Sequence, residues 1–231
     1  MERLKPASVQ PHFFRLPFLP EGFINQRRLV LKKVLVHYMG LTLTREQPAL
    51  SLTDIEYAGL LPEVQEMARL LRIAKAVPRE VRPVETEVNG IAIAIDEEGQ
   101  FNEYRMLTLQ SSVYNEPLIC QLKRYKAYCQ KGDGGLDGGD RRNRNAAGHI
   151  RKKSQLQPPH MALNDFMQDM LPVVHYIPLL RISVYDTIRT PAGIRSLASL
   201  LEKDDPMEYG VLAAFLEEKL TQLESSFHLD Y

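Results

Sequence analysis

The spacing of apolar positions changes period along this chain, and each change marks an element. From Phe23 to Met39, Leu31, Val34, Leu35 and Tyr38 recur at helical spacing, and Gly40 supplies a stop. A second helix is expected after Ser51 or Thr53, where Thr53 and Glu56 have the spacing of a capping box. A third opens at Pro62, with Val64, Met67, Leu70 and Leu71 along one side. From Val84 the period drops to two: Val84, Thr86 and Val88, then Ile91, Ile93 and Ile95, with Asn89-Gly90 between the runs. Asn-Gly suits a two-residue type I′ turn, so the pattern predicts a hairpin whose second strand ends on Asp96-Glu97-Glu98. Ala92 and Ala94 leave its other face small, as if something packs closely over it.

Beyond the hairpin, Phe101 to Tyr114 and a segment opening at Pro117 predict two more helices. Residues 131–158 predict a glycine-rich loop of the kind that stays mobile. A helix capped near Asn164, a β-prone run from Leu179 to Ile188 and two C-terminal helices complete the chain. The last carries Leu212, Phe215, Leu216, Leu220 and Leu223 in register. The order predicts a mixed α/β, or α+β, domain with a β-hairpin and few strands, flanked by N- and C-terminal helices. Residues 1–22 form an extended proline and aromatic arm, 23–80 a helical layer, 81–190 the core and 191–231 the closing helices, together one domain.

The 231 residues suffice for a sizeable core. Twenty-nine basic residues balance 29 acidic ones, so nucleic-acid contact must come from local clusters rather than a global field. Two cysteines, Cys120 and Cys129, are too few for a disulfide scaffold and are read as reduced thiols. Neither a signal peptide nor a membrane helix is expected, and a cytoplasmic location follows as the default.

Chemistry concentrates at the strand end. Asp96 at the tip of one strand, with Glu85 or Glu87 on its neighbour, is a donor set that a hard cation such as Mg²⁺ could use, activating water for phosphodiester cleavage. The same residues could equally form a solvated turn or meet the dipole of the following helix. Arg141, Arg142, Arg144, Arg151, Lys152 and Lys153 make the strongest local phosphate-contact candidate, without aromatic residues among them for base stacking. The preceding Asp133, Asp137 and Asp140 lack the spacing of a calcium loop. The six histidines have no ligand spacing, and no GxSxG, GxGxxG, Walker A or HExxH motif occurs.

The stretch from Asp96 through Glu97, Glu98, Phe101, Asn102, Glu103 and Tyr104 to Arg105 resembles bacterial proteins related to the very-short-patch-repair endonucleases. These are a branch of the PD-(D/E)XK, restriction-endonuclease-like fold. Lys123 to Cys129, then Asp165, Phe166, Asp169 and Leu179 to Asp186, follow in the same order as in those relatives. The resemblance implies a restriction-endonuclease-like core and a site centred on Asp96. This chain has Gln100 where the relatives commonly carry histidine, and Ala94 where many carry glutamate.

Together these readings predict a nuclease-like protein that binds DNA or RNA, with Mg²⁺-dependent hydrolysis at Asp96. Glu85 or Glu87 would complete the metal site, Gln100 would orient water or phosphate, and Arg105 and the 141–153 cluster would engage the backbone. The competing expectation is a catalytically inactive interaction subunit that keeps the fold. It would bind a protein partner or a second copy through the arm or the C-terminal helix.

Overall fold

The computed structural model describes residues 26–44, 49–73, 77–84, 86–115, 121–132 and 158–228. The aromatic arm, Glu85 and the cationic run at 141–153 lie outside the described residues.

The hairpin forms as its sequence dictates. Strand β1 (Thr86–Val88) pairs antiparallel with β2 (Ile91–Asp96) through Asn89 and Gly90, whose φ values of 50° and 79° are the two positive angles of a type I′ turn. Strand β3 (Leu179–Ser183) joins the other side of β2 in parallel, placing Ala94 opposite Arg181 and Asp96 opposite Ser183. A parallel pair needs a crossover. The chain supplies one with α4 (Glu103–Thr108), α5 (Leu122–Gly132), α6 (Pro158–Gln168) and α7 (Leu171–His175).

The two faces of this sheet meet different surroundings. Ile91, Ile93, Ile95, Leu180, Ile182 and Val184 form one apolar face. It packs on α1 (Gln26–Lys33), the π-helical turn Val34–Tyr38, α8 (Leu197–Leu201) and α9 (Tyr209–His228), through residues such as Val30, Leu35, Leu200, Leu212 and Leu216. Burial of each such side chain contributes roughly 1.5–3 kcal/mol. The opposite face carries Ala92, Ala94, Asp96, Leu179, Arg181 and Ser183, and lies beneath α6 and the helices beside it. There α2 (Leu52–Tyr57), α3 (Leu61–Leu70) and α6 contribute Ile55, Val64, Met67, Phe166 and Met167 to a second core. Helices therefore cover both faces, in a mixed α+β arrangement. A separate hairpin of β4 (Thr187–Thr190) and β5 (Gly193–Ser196) follows β3.

Four local expectations are corrected. The cap of α2 is Ser51 with Asp54, each side chain bonded to the other's backbone N–H, and Thr53 lies inside the helix. Asn164 is within α6, where its amide oxygen accepts from the Arg82 backbone N–H at 2.8 Å. The Phe101–Tyr114 helix divides into α4 and a 3₁₀ turn at Ser112–Asn115. The β-run from Leu179 divides because the Asp186 carboxylate accepts from the Ser183 N–H at 3.1 Å, turning the chain before β4. β propensity alone does not reveal that turn.

Replacing Gly90 by Ala is expected to destabilise the fold by about 1–2 kcal/mol, because a Cβ at φ 79° is strained even though open space surrounds it. Gly99→Ala, at a glycine with negative φ and equally open surroundings, is expected to stay within about 0.5 kcal/mol. Urea unfolding of the two variants, with unchanged m-values, checks the contrast.

Candidate functional site: a buried arginine–carboxylate centre

The three carboxylates after β2 part company. Asp96 turns inward and is 2% exposed. Glu97 and Glu98 turn toward α1, where Arg27 donates to Glu97 at 2.5 Å and to Glu98 at 2.8 Å. Arg27 also reaches Glu202 at 2.6 Å, tying the strand end to the end of α8. The Glu98 carboxyl is held below the ordinary carboxylate range, chiefly by its hydrogen bonds from Arg27.

Asp96 meets three donors. Arg181 donates to Oδ1 at 2.5 Å, the Gln100 amide to the same oxygen at 2.9 Å, and the Tyr125 hydroxyl to Oδ2 at 2.7 Å. Each arrives from a different element. Arg181 is the middle residue of β3, on the sheet face that Ala94 leaves open beside it. Tyr125 descends from α5. Gln100 closes the 3₁₀ turn after β2, its own oxygen accepting from the Glu97 N–H at 2.8 Å, which fixes the direction of its amide. The same amide reaches Asp165 on α6 at 3.0 Å.

The network continues along α6. Asp165 lies in α6 and Asp169 directly follows its last residue, one turn on, with the Asp169 N–H donating to the Asp165 carbonyl at 3.0 Å. Asp169 is fully buried between Arg105, which donates at 2.7 Å, and Arg181, with the Tyr114 hydroxyl at 2.5 Å. Arg105 also reaches the hydroxyls of Tyr114 and Thr108. Arg181 also donates through Nη2 to the Asp165 carbonyl and the Gln168 side chain, both at 3.1 Å. Gln168 passes the network to the Arg82 carbonyl at 2.6 Å.

Two buried guanidiniums thus face three buried carboxylates, Asp96, Asp165 and Asp169. Burial disfavours the Asp169 anion, but Arg105 and Arg181 outweigh it and hold its carboxyl below the usual value. Asp165 goes the other way: burial raises it despite Arg181 and Arg105, and Asp96 adds to the rise. A proton on Asp165 would balance the centre, which is the electrostatic sense of the opposite shifts.

The structure gathers some of the expected site residues and separates others. Asp96 and Gln100 are together. Glu87 pairs with Ala92, four residues from Asp96, or about 13 Å along the strand. Arg105 is enclosed in the interior rather than presented to solvent as expected from sequence, because Asp169 and Tyr114 draw it inward. Glu85 and the 141–153 cations lie outside the described residues. As arranged, the Asp96 set does not fit Mg²⁺: a cation of this kind needs free carboxylate oxygens and room for its waters. Here Arg181, Gln100 and Tyr125 already use both oxygens. Among the described residues no group of three or more His, Cys, Asp or Glu side chains is placed to hold a metal ion.

Sequence reasoning assigned no site role to Asp165, Asp169, Arg181, Tyr114 or Tyr125. Two signals were available: aspartates four apart on an apolar helix, and one arginine inside the apolar run Leu179–Val184. Buried charges come paired, so each implied the other.

Asp169→Asn is expected to cost about 3–5 kcal/mol, since it leaves two buried guanidiniums short of charge. Asp165→Asn is expected to be neutral or stabilising near and above neutral pH, because the amide imitates the protonated acid. The pH dependences have opposite signs. The contribution of Asp169 is full above the unfolded carboxylate value and is lost as pH falls through its lowered folded value. The wild-type protein loses stability relative to Asp165→Asn as pH rises through the raised value of Asp165. Urea titrations from acid to mildly alkaline pH measure both.

A family of unknown function, DUF7255, matches residues 65–155, from α3 through β1, β2, α4 and α5. The chain is similar to that family over less than half its length. No curated protein and no solved structure matches it.

Proposed function

We propose that this is a nucleic-acid-binding protein with a restriction-endonuclease-like core, in which Asp96 serves as a structural counter-ion rather than a metal ligand. The topology supports the fold part of this reading: a hairpin strand ending on Asp96, a helical crossover and a parallel return strand. The observation that carries the binding part is the placement of α5. This helix contains Lys123, Arg124 and Lys126, with Lys131 in its last turn, and no acidic residue. Its Tyr125 rests on Asp96, so the helix lies across the carboxyl ends of the parallel strands β2 and β3. Open α/β sheets bind ligands at that edge.

The chemistry follows from the charges. Lys123 is exposed and Lys126 half-buried. Ammonium groups on such a helix replace the counterions of a phosphate backbone, giving affinity that falls steeply with salt. The cations of 141–153 follow α5 in the chain and lie outside the described residues. Asp96, Gln100 and Arg181 would then keep the strand ends in register beneath the helix.

Two other readings remain distinguishable. Mg²⁺-dependent hydrolysis would need Arg181 to withdraw from Asp96; the convergence of Asp96, Asp165 and Gln100 is what favours that reading. An interaction subunit working through the C-terminal helix has less to use: Leu212, Phe215 and Leu216 of α9 are buried in the core. Among the described residues no helix is long and apolar enough to cross a membrane.

The protein is expected to bind DNA or RNA in low salt without cleaving it in Mg²⁺ or Mn²⁺. The Lys123→Glu, Lys126→Glu double variant is expected to reduce the slope of log affinity against log salt by about 2. Fluorescence anisotropy across a salt series checks the binding, and a denaturing gel the integrity of the strand. Metal-dependent cleavage that Asp96→Asn abolishes in a folded variant would restore the hydrolytic reading. Absence of any binding would remove the nucleic-acid reading itself.

A further inference from the structure

At the carboxyl ends of β2 and β3 four aromatic rings converge beside the basic helix. Phe101 follows β2, Tyr185 follows β3, and Tyr125 and Tyr128 come from α5. Phe101 lies 5.5 Å from Tyr125, 5.5 Å from Tyr128 and 5.3 Å from Tyr185, measured between ring centroids, and Tyr128 lies 5.7 Å from Tyr185. The inner pair, Phe101 and Tyr125, is buried, whereas Tyr128 and Tyr185 are half-buried at the rim. The inner rings therefore act as a packed floor that holds the outer two in place.

The polar groups at the rim are organised as well. The Arg124 guanidinium lies 5.9 Å from the Tyr128 ring centroid and donates to the Tyr128 hydroxyl at 2.8 Å. That hydroxyl donates to Asp186 at 2.9 Å, which orients the ring. The Tyr185 hydroxyl has no hydrogen bond among the described residues. The nearby carboxylates Glu97 and Glu98 are both paired with Arg27, which also bonds Glu202, so net negative charge remains on that side of the rim. A phosphate chain would therefore be drawn to the α5 side of the rim, where Lys123, Arg124 and Lys126 stand and the helix carries no acidic residue.

We infer that Tyr128 and Tyr185 form a stacking surface for an unpaired nucleobase, and that the nucleic acid engaged by this protein is single-stranded. The inference rests on the nucleic-acid reading above and narrows it. Bases in a duplex stack on one another and offer no free face, whereas every unpaired base presents one to an aromatic ring. Cationic groups track the backbone, and rigid tyrosines take the base.

The test uses the full chain with a short labelled oligothymidylate and a duplex of equal length. The single strand is expected to bind more tightly. Because the chain has no tryptophan, the emission of its ten tyrosines reports stacking directly and is expected to be quenched by the single strand. Tyr185→Leu is expected to weaken single-strand binding about tenfold and leave duplex binding unchanged, as loss of one stacked base implies. Tyr185→Phe, which keeps the ring, is expected to remain within about twofold of wild type. Melting temperatures of both variants establish that the fold is intact. Equal affinity for the two nucleic acids together with a harmless Tyr185→Leu would overturn the stacking surface while leaving the nucleic-acid reading standing. Binding of neither oligonucleotide would overturn both.

Discussion

The guanidinium of Arg181 is the contact on which the rest of this architecture depends. It sits in the middle strand position of β3 and bonds Asp96 on β2 and Asp169, just past the end of α6, together, with the Asp165 carbonyl and the Gln168 side chain also accepting from it. A charge this deeply buried has a desolvation cost of several kcal/mol, which only well-directed partners can offset. Those partners belong to separate elements, so satisfying one side chain fixes the register of the parallel strands and the position of α6 at once. Ala94, opposite Arg181, supplies the room that a larger side chain would deny.

This centre also explains why the acidic tip of β2 is not a cluster. Electrostatic repulsion between Asp96, Glu97 and Glu98 is relieved by division: an interior arginine takes the first, and an arginine of α1 takes the other two. The alternation of strand geometry makes the division possible, because successive side chains leave opposite faces. Arg27 gains little as an isolated surface pair would. Its bonds to three carboxylates instead join the N-terminal helix, the strand end and α8 into one exposed-edge network.

The hairpin, its type I′ turn and most helices were legible in the sequence because their signals are local: period, Asn-Gly, Pro at a first turn, Gly40 at positive φ. The missed features have non-local causes. The turn at Asp186 depends on a side chain returning to Ser183, and the cap role expected of Asn164 yielded to a bond with Arg82, 82 positions away. At the site, Asp96 and Gln100 were recognisable, being neighbours in sequence. The direction of Arg105 was not, since it is set by Asp169, 64 residues distant. The cationic run at 141–153 contains no aromatic residue on which a base could stack. Folding instead brings Tyr128 and Tyr185, far apart in the chain, to within 5.7 Å of each other beside a different set of cations.

The buried centre and the exposed rim are mechanically one object. Tyr125 donates to Asp96 while Tyr128, one helical turn later, donates to Asp186; the hydroxyls of α5 are thereby fastened to the carboxyl ends of both parallel strands. Burial raises the Tyr125 hydroxyl well above its ordinary value, with Asp96 adding to the rise, so it stays a donor at neutral pH. The carboxylate that sequence suggested as a metal ligand therefore has a definite physical role without one. It anchors the helix that carries Lys123, Arg124 and Lys126, so the placement of that outer surface depends on a hydrogen bond buried beneath it.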